Sequence, residues 1–225
     1  MIDRRKGKAE SAPSAEAVAE APEADPSEAV PARAEAEAAT SVESAPSSGA
    51  RSASAAPPSP LARAEEFLAR GNHVAAIDQY NAVLASNPDD VEALLGLGTA
   101  YLAQGQYDPA ERELRKSLRL APNRVDVHYQ LGMTLFRRGN YAAAAGQLRR
   151  VVELDRDHAL AHIFLGEALN HTGESEAAIE ALEQAIQLQP ENGKAFYALG
   201  IAYDRKGQPD RAAEMYRRSR EVGGR

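Results

Sequence analysis

The chain has 225 residues, no cysteine and a formal net charge of −7 at pH 7. The lack of cysteine excludes disulfides and thiolate metal sites, and the acidic balance argues against a general nucleic-acid binder, which needs a basic face. No stretch of the sequence approaches the roughly 18 consecutive apolar residues of a membrane-spanning helix, so no membrane insertion is expected.

The N-terminal quarter of the chain differs in composition from the rest. Residues 1–56 are rich in alanine, proline, glutamate and serine and contain no aromatic residue. Such a segment buries too little apolar surface to offset the entropy of ordering it, so a disordered tail that serves as a tether is predicted. The basic start, MIDRRKGK, is not followed by the apolar core of a signal peptide, which makes the cytoplasm the expected location.

From about residue 57 onward the sequence repeats every 34 residues. Glycine recurs at this interval at Gly71, Gly105, Gly139, Gly173 and Gly207, and alanine follows each of them by five residues. The dipeptide Leu-Gly recurs at 97, 131, 165 and 199. A fixed period of this kind indicates a repeat protein. The predicted units are approximately 57–90, 91–124, 125–158, 159–192 and 193–225.

Each unit is predicted to be a helical hairpin, because apolar residues recur at helical spacing on both sides of the periodic glycine. In the second unit, Gly105 fits the left-handed residue that ends a helix. Asp108 and Pro109 fit the cap and first turn of the next helix. In the third unit, Gly132 and Ala144 are predicted to meet where the two helices cross, since small residues allow close approach.

The Leu-Gly, aromatic, alanine and proline slots of this period resemble the tetratricopeptide repeat, over five consecutive units from residue 57 to 225. The resemblance implies an all-α fold, a right-handed superhelical solenoid of five helix-turn-helix repeats after the disordered tail. It also implies a non-catalytic adaptor or scaffold that binds a peptide or helix of a protein partner in a concave groove, with no cofactor.

In this family the groove is lined by a second stripe on the first helix of each hairpin. Carried over residue by residue, the groove consists of Leu95, Thr99, Leu102, Tyr129, Met133, Phe136, Ile163, Glu167, Asn170, Tyr197 and Ile201. One rim is predicted to carry Arg137, His171, Asp204 and Arg205. For Phe136 and Ile163, packing between neighbouring hairpins is an equal alternative. The stripe is apolar, which argues against a clamp for a C-terminal carboxylate.

The sequence contains no phosphate loop, dinucleotide fingerprint or nucleophile motif, so an enzyme is not expected. His158 and His162 have the i, i+4 spacing of a metal-binding pair. His162, however, occupies the slot that His128 fills one unit earlier, and both are therefore predicted to be packing residues. No metal site is expected.

Self-association through the last repeat is the alternative function. Each hairpin of a repeat protein leaves one face for its neighbour, and a terminal repeat normally needs a polar cap. Met215, Tyr216 and Val222 are the residues that such an uncovered face would expose. A homo-oligomer formed through these residues would be a structural scaffold.

Overall fold

The computed structural model describes residues 58–223, which form ten α-helices and no strand. In chain order the helices are α1 (Pro60–Ala69), α2 (His73–Ser86), α3 (Val91–Ala103), α4 (Tyr107–Leu120), α5 (Val125–Arg137), α6 (Tyr141–Leu154), α7 (Ala159–Thr172), α8 (Ser175–Leu188), α9 (Gly193–Arg205) and α10 (Pro209–Gly223). The predicted disordered tail, residues 1–56, lies outside the described residues.

A left-handed glycine joins the two helices of every hairpin. The five glycines of the 34-residue period have φ between 72° and 85°. Glycine adopts this conformation freely, whereas a side chain there would be strained, and the role predicted for Gly105 is confirmed. The prediction that Asp108 caps the next helix is wrong. Helix α4 begins at Tyr107 after Gln106, so Asp108 lies in the first turn, where its charge favours the helix dipole.

The Leu-Gly glycines are the points of closest approach within the hairpins. A Cβ atom on Gly132 would lie 2.9 Å from Cγ of Leu148, and a Cβ atom on Gly98 would lie 2.5 Å from Cγ of Leu114. The side chain directly over Gly132 is that of Leu148, one turn further along α6 than Ala144, which is itself fully buried. Glycine is needed here because a larger residue would overlap that leucine.

The hairpins stack in chain order, and each helix packs against the helices before and after it. The first helices also contact one another, in the pairs α1–α3, α3–α5, α5–α7 and α7–α9. Within residues 58–223 no comparable contact joins two second helices. Helices that approach each other closely lie on the inner side of a curved stack, so α1, α3, α5, α7 and α9 form the concave layer of an all-α solenoid.

The core follows the stack as a chain of local clusters. One cluster joins α1, α2 and α3, and a larger one extends from α4 to α10. Leu114, Leu148 and Leu182, which cover the glycines of successive hairpins, are all completely buried. No helix in the described part of the chain combines the length and apolarity needed to cross a lipid bilayer.

Candidate partner-binding groove

The predicted groove residues lie on α3, α5, α7 and α9, which belong to the concave layer. They occupy three slots that recur every 34 residues. The first slot holds Leu95, Tyr129, Ile163 and Tyr197; the second holds Thr99, Met133, Glu167 and Ile201; the third holds Leu102, Phe136, Asn170 and the rim residue Asp204. The same slot meets different surroundings on different helices, and these differences decide which side chains a partner could reach.

On α3 the three groove residues are half-buried. Leu95 packs against the main core. The hydroxyl of Thr99 donates a hydrogen bond to the carbonyl of Leu95 at 2.9 Å, so its polar group is satisfied within its own helix. Leu102 offers only part of its side chain. This part of the concave layer therefore presents partly exposed, mainly apolar side chains.

Between α5 and α7 the groove is filled by an aromatic cluster around Phe136. Its ring centroid lies 5.3 Å from that of Tyr141 and 5.6 Å from that of Phe164, both edge-on. His171 stacks on Tyr141 with centroids 3.8 Å apart and also faces the edge of Phe136. Edge-on and stacked contacts of this kind stabilise aromatic clusters, so little open space is left at this junction.

Three further groove residues are covered to different extents. Tyr129 is half-buried against His158, at 4.7 Å between ring centroids, and burial raises the pKa of its hydroxyl. Met133 and Ile163 are 9% and 3% exposed. Ile163 packs with Ala195 at the start of α9. For this side chain, the structure therefore shows packing between neighbouring hairpins, the alternative to a place on the groove surface.

The groove opens between α7 and α9. A cavity of about 240 Å³ is lined there by Glu167, Asn170, His171, Tyr197, Ala198, Ile201 and Arg205. All of these except Ala198 are predicted groove or rim residues. Glu167 and Tyr197 also line an adjoining open depression that extends to Leu160 and Lys194. We refer to the cavity and this depression together as the α7–α9 cavity.

Two large apolar side chains are exposed at the α7–α9 cavity. Tyr197 is 57% exposed and Leu160 is 45% exposed. In residues 58–223 the other exposed large apolar residues, Val74, Leu120, Leu154 and Leu188, all lie on second helices. Leu160 was not predicted as a groove residue. The sequence contains a signal for it, because the equivalent positions of the second, third and fifth units hold charged residues, Glu92, Asp126 and Lys194.

Two polar side chains of α7, those of Glu167 and Asn170, line the cavity, and neither is fully stabilised by a charged or hydrogen-bonding partner. Burial raises the pKa of the Glu167 carboxyl, and Lys194 only partly opposes this shift. Asn170 is 4% exposed, and its Nδ2 donates a hydrogen bond to the carbonyl of Ala198 at 2.8 Å. Its Oδ1 is buried and has no hydrogen-bond partner among the described residues. The bond to Ala198 fixes the amide orientation, so the free atom is an acceptor.

The far wall of the cavity is held by the last hairpin. The ring of Tyr216 lies over Gly200 and 5.5 Å from the ring of Tyr197. Its hydroxyl donates a hydrogen bond to Asp204 at 2.6 Å, and burial together with this bond raises the pKa of Tyr216 to about 12. Tyr216 therefore packs partly inside its own hairpin and is half-buried, as are Met215 and Val222, the other residues predicted for an uncovered end face.

The chain is similar in sequence and structure to known repeat proteins. Two tetratricopeptide-repeat family models match it, one over residues 67–134 and the other over residues 129–193 and 173–223. The crystal structure of MamA is 31% identical to it with a TM-score of 0.67, and the match covers 72% of this chain and 94% of that chain. The chain belongs to the tetratricopeptide-repeat family.

Other tetratricopeptide-repeat structures agree with this assignment. A double mutant of MamA from RS-1 is 29% identical with a TM-score of 0.68, covering 72% of this chain and 90% of that chain. YrrB, described as a TPR protein with an unusual peptide-binding site, is 24% identical with a TM-score of 0.67 and covers 72% and 84% of the two chains. At that identity the likeness to YrrB concerns the fold alone. No curated protein sequence is significantly similar to the chain.

The tetratricopeptide-repeat slots also explain the histidines. His128 and His162 are 7% and 9% exposed, and each directs Nε2 to a backbone carbonyl, of Pro122 at 2.9 Å and of Arg156 at 3.0 Å. His158 accepts a hydrogen bond at Nδ1 from the backbone N–H of Ala161 and so caps α7. Within residues 58–223 no three His, Cys, Asp or Glu side chains are grouped to hold a metal ion.

Proposed function

We propose that this chain is a non-catalytic protein-interaction scaffold that binds a peptide or helix of a cytoplasmic partner in the concave groove. The exposure of Tyr197 at the α7–α9 cavity is the observation that carries this proposal. A large aromatic side chain left accessible beside a cavity is typical of an interaction site, since burying it in a partner removes apolar surface from water. The tetratricopeptide-repeat family is typically non-catalytic.

The surroundings of Tyr197 have the anatomy of an interface. Leu160 and Ile201 extend the apolar surface on either side of its ring. The rim residues His171 and Arg205, which line the same cavity, are exposed, and Asp204 beside Tyr216 is exposed as well. An apolar centre within a polar rim is the usual arrangement of protein–protein contacts, in which a buried aromatic anchor supplies much of the affinity.

In this proposal the other groove residues contribute unequally. Leu95, Thr99, Leu102 and Tyr129 are half-buried and provide a shallow continuation of the surface, with Arg137 exposed at the rim. Met133, Ile163 and Asn170 are buried and act by shaping the groove floor. Residues 1–56 serve as a tether that changes the reach of the binding site more than its affinity. No cofactor, metal or nucleic acid is required.

Photo-crosslinking tests the proposal at single-residue resolution. A photoreactive phenylalanine analogue replaces Tyr197 in one variant and Leu120 in the control, and both are irradiated in a lysate of the native cells. Leu120 is a suitable control because it is 43% exposed and lies on a second helix. We expect one protein to be crosslinked from position 197 and not from position 120, through a single segment identified by mass spectrometry.

Two outcomes would contradict the proposed function. Identical crosslinked proteins from positions 197 and 120 would show that the cavity has no selective partner. An adduct between two copies of the chain from position 197 would instead favour the alternative, self-association, and would assign the cavity to it.

A further inference from the structure

We infer that the partner segment places a lysine or arginine side chain in the α7–α9 cavity, with Glu167 as its counter-ion and the ring of Tyr197 as one wall. The inference rests on the proposed function and specifies the chemistry of the ligand. Four observations carry it: an unpaired acceptor, a half-buried carboxylate, an accessible aromatic ring, and the size and charge distribution of the cavity.

The unpaired acceptor is Oδ1 of Asn170. The residue is 4% exposed and lines the cavity, and its amide nitrogen is already bound to the carbonyl of Ala198. A buried acceptor without a partner is unfavourable, and most such groups in proteins are paired. A group that pairs with this atom therefore donates a hydrogen bond. A lysine ammonium carries three donors and an arginine guanidinium five, and neither accepts.

Glu167 lies one helical turn from Asn170 on α7, so the two side chains are neighbours on the same face. Its carboxyl is partly desolvated. Burial raises its pKa by more than the charge of Lys194 lowers it. A cation in the cavity would supply the missing compensation for the carboxylate. Glu167 and Asn170 are three residues apart, about 4.5 Å along the helix axis, so one head group with several donors can reach both side chains.

Tyr197 and Ile201 provide an aromatic and an apolar surface for the methylene stem of the partner's lysine or arginine. The ring of Tyr197 is 57% exposed and lines the cavity together with Ile201 and Ala198. A cation over the face of a tyrosine ring is stabilised by the ring quadrupole. The methylene stem of lysine or arginine can cover apolar surface while the charged head remains bonded to polar groups. Both properties favour a basic side chain over a plain aliphatic one.

The cavity is of a size to hold one side chain. Its enclosed part, between Asn170 and Tyr197, has a volume of about 240 Å³, which is below the roughly 300–1,000 Å³ of pockets that enclose a whole small-molecule ligand. A single residue projecting from a bound peptide or helix fits this space, while the backbone of the segment remains in the open groove. The adjoining depression toward Leu160 leaves room for the flanking residues.

The charges around the cavity also orient the segment. Toward the start of α9 the lining includes Glu167, Glu191 and Lys194, whereas the opposite end carries His171 and Arg205. Arg205 is eight residues beyond Tyr197, about 12 Å along the helix axis. A basic side chain is repelled from the Arg205 end and attracted to the Glu167 end. This end of the groove thus discriminates against a segment that presents an acidic residue to Glu167.

Small amino-acid probes test the inference without knowledge of the partner. The N-acetyl N-methylamides of lysine, arginine, norleucine and aspartate are titrated into the full chain up to about 10 mM, a range that detects binding constants near 1 mM. NMR follows the side-chain amide of Asn170 and the ring of Tyr197. We expect both signals to shift with lysine or arginine and not with norleucine. Glu167→Gln should weaken this binding at least tenfold.

Glu180→Gln is the matched control, because Glu180 is an exposed glutamate on the second helix α8. This variant should bind the basic probes as the wild type does. The inference is overturned if neither basic probe shifts the two signals, if aspartate or norleucine shifts them equally, or if Glu167→Gln binds unchanged.

The segment found by crosslinking separates this inference from the proposed function. If that segment binds wild type and Glu167→Gln with equal affinity, the groove binds a partner but the basic side chain is not its recognition element. If no selective crosslink forms at position 197, the proposed function itself fails, whatever the small probes do.

Discussion

The α5–α7 and α7–α9 junctions have the same position in successive repeats and differ in how the space between their helices is used. At the first, Phe136 fills the space together with Tyr141, Phe164 and His171. At the second, the equivalent residue is Asn170, and a cavity of about 240 Å³ is present. Replacement of an aromatic ring by a smaller amide in a repeated slot removes aromatic packing contacts and leaves a cavity beside a buried polar side chain.

The first slot shows the same contrast. Tyr129 packs on His158 and Ile163 packs on Ala195, so in both repeats the following hairpin covers the side chain. Within residues 58–223 no hairpin follows α10, and Tyr197 is exposed. A groove position thus stays accessible only where neither the residues of its own junction nor the next hairpin bury it.

The largest effect is expected from removing the ring at the filled junction. Phe136→Ala should lower the free energy of unfolding by about 3 kcal/mol, at the low end for an aromatic-to-alanine change because the ring is only half-buried. Tyr197→Ala should change it by less than about 1 kcal/mol, since the ring is largely exposed. Urea unfolding followed by circular dichroism measures both values. Equal losses would remove the distinction between the two junctions.

The next effect concerns the hairpin beneath the open junction. In Gly166→Ala the new Cβ would lie 2.4 Å from Cγ of Leu182, and the overlap should lower stability by about 1–3 kcal/mol. Gly146→Ala is the control, because no atom lies within 4 Å of a Cβ placed there. Alanine in this helix interior should raise stability by about 0.5–1 kcal/mol. Thermal unfolding of both variants checks the prediction, and a neutral Gly166→Ala would contradict the close packing.

Closing the cavity should affect binding more than stability. Asn170→Phe introduces at the α7–α9 junction the residue that fills the α5–α7 junction. The ring should occupy the cavity and lower affinity for the N-acetyl N-methylamide of lysine at least tenfold, which corresponds to about 1.4 kcal/mol. A variant that unfolds cooperatively and still binds the probe as the wild type does would show that the cavity is not the binding site.

The smallest effect is a pH-dependent change in stability at Glu167. Burial raises the pKa of its carboxyl in the folded chain, so the folded state favours the protonated form, and this stabilisation is lost as the pH rises through that pKa. Glu167→Gln should therefore melt at a slightly higher temperature than wild type at about pH 7. The difference should vanish at about pH 3, below the roughly 4.3 of an unperturbed glutamate. A lower melting temperature for the variant at neutral pH would contradict this sign.

The sequence period was sufficient to predict the hairpins, because left-handed glycines such as Gly105 are required by backbone geometry alone. It did not identify Leu148 as the partner of Gly132, since that contact depends on the direction in which a side chain leaves its helix. Spacing also placed Ile163 and Tyr197 in one slot but could not tell which of them is buried. That difference arises from what the next hairpin contributes.

Calorimetric titration of the segment crosslinked from position 197 tests whether the α7–α9 cavity is the partner site. The segment is titrated into wild type, Tyr197→Ala and the control Leu120→Ala. We expect at least a tenfold loss of affinity in Tyr197→Ala, about 1.4 kcal/mol, and wild-type affinity in Leu120→Ala. Equal affinity for all three proteins would contradict it.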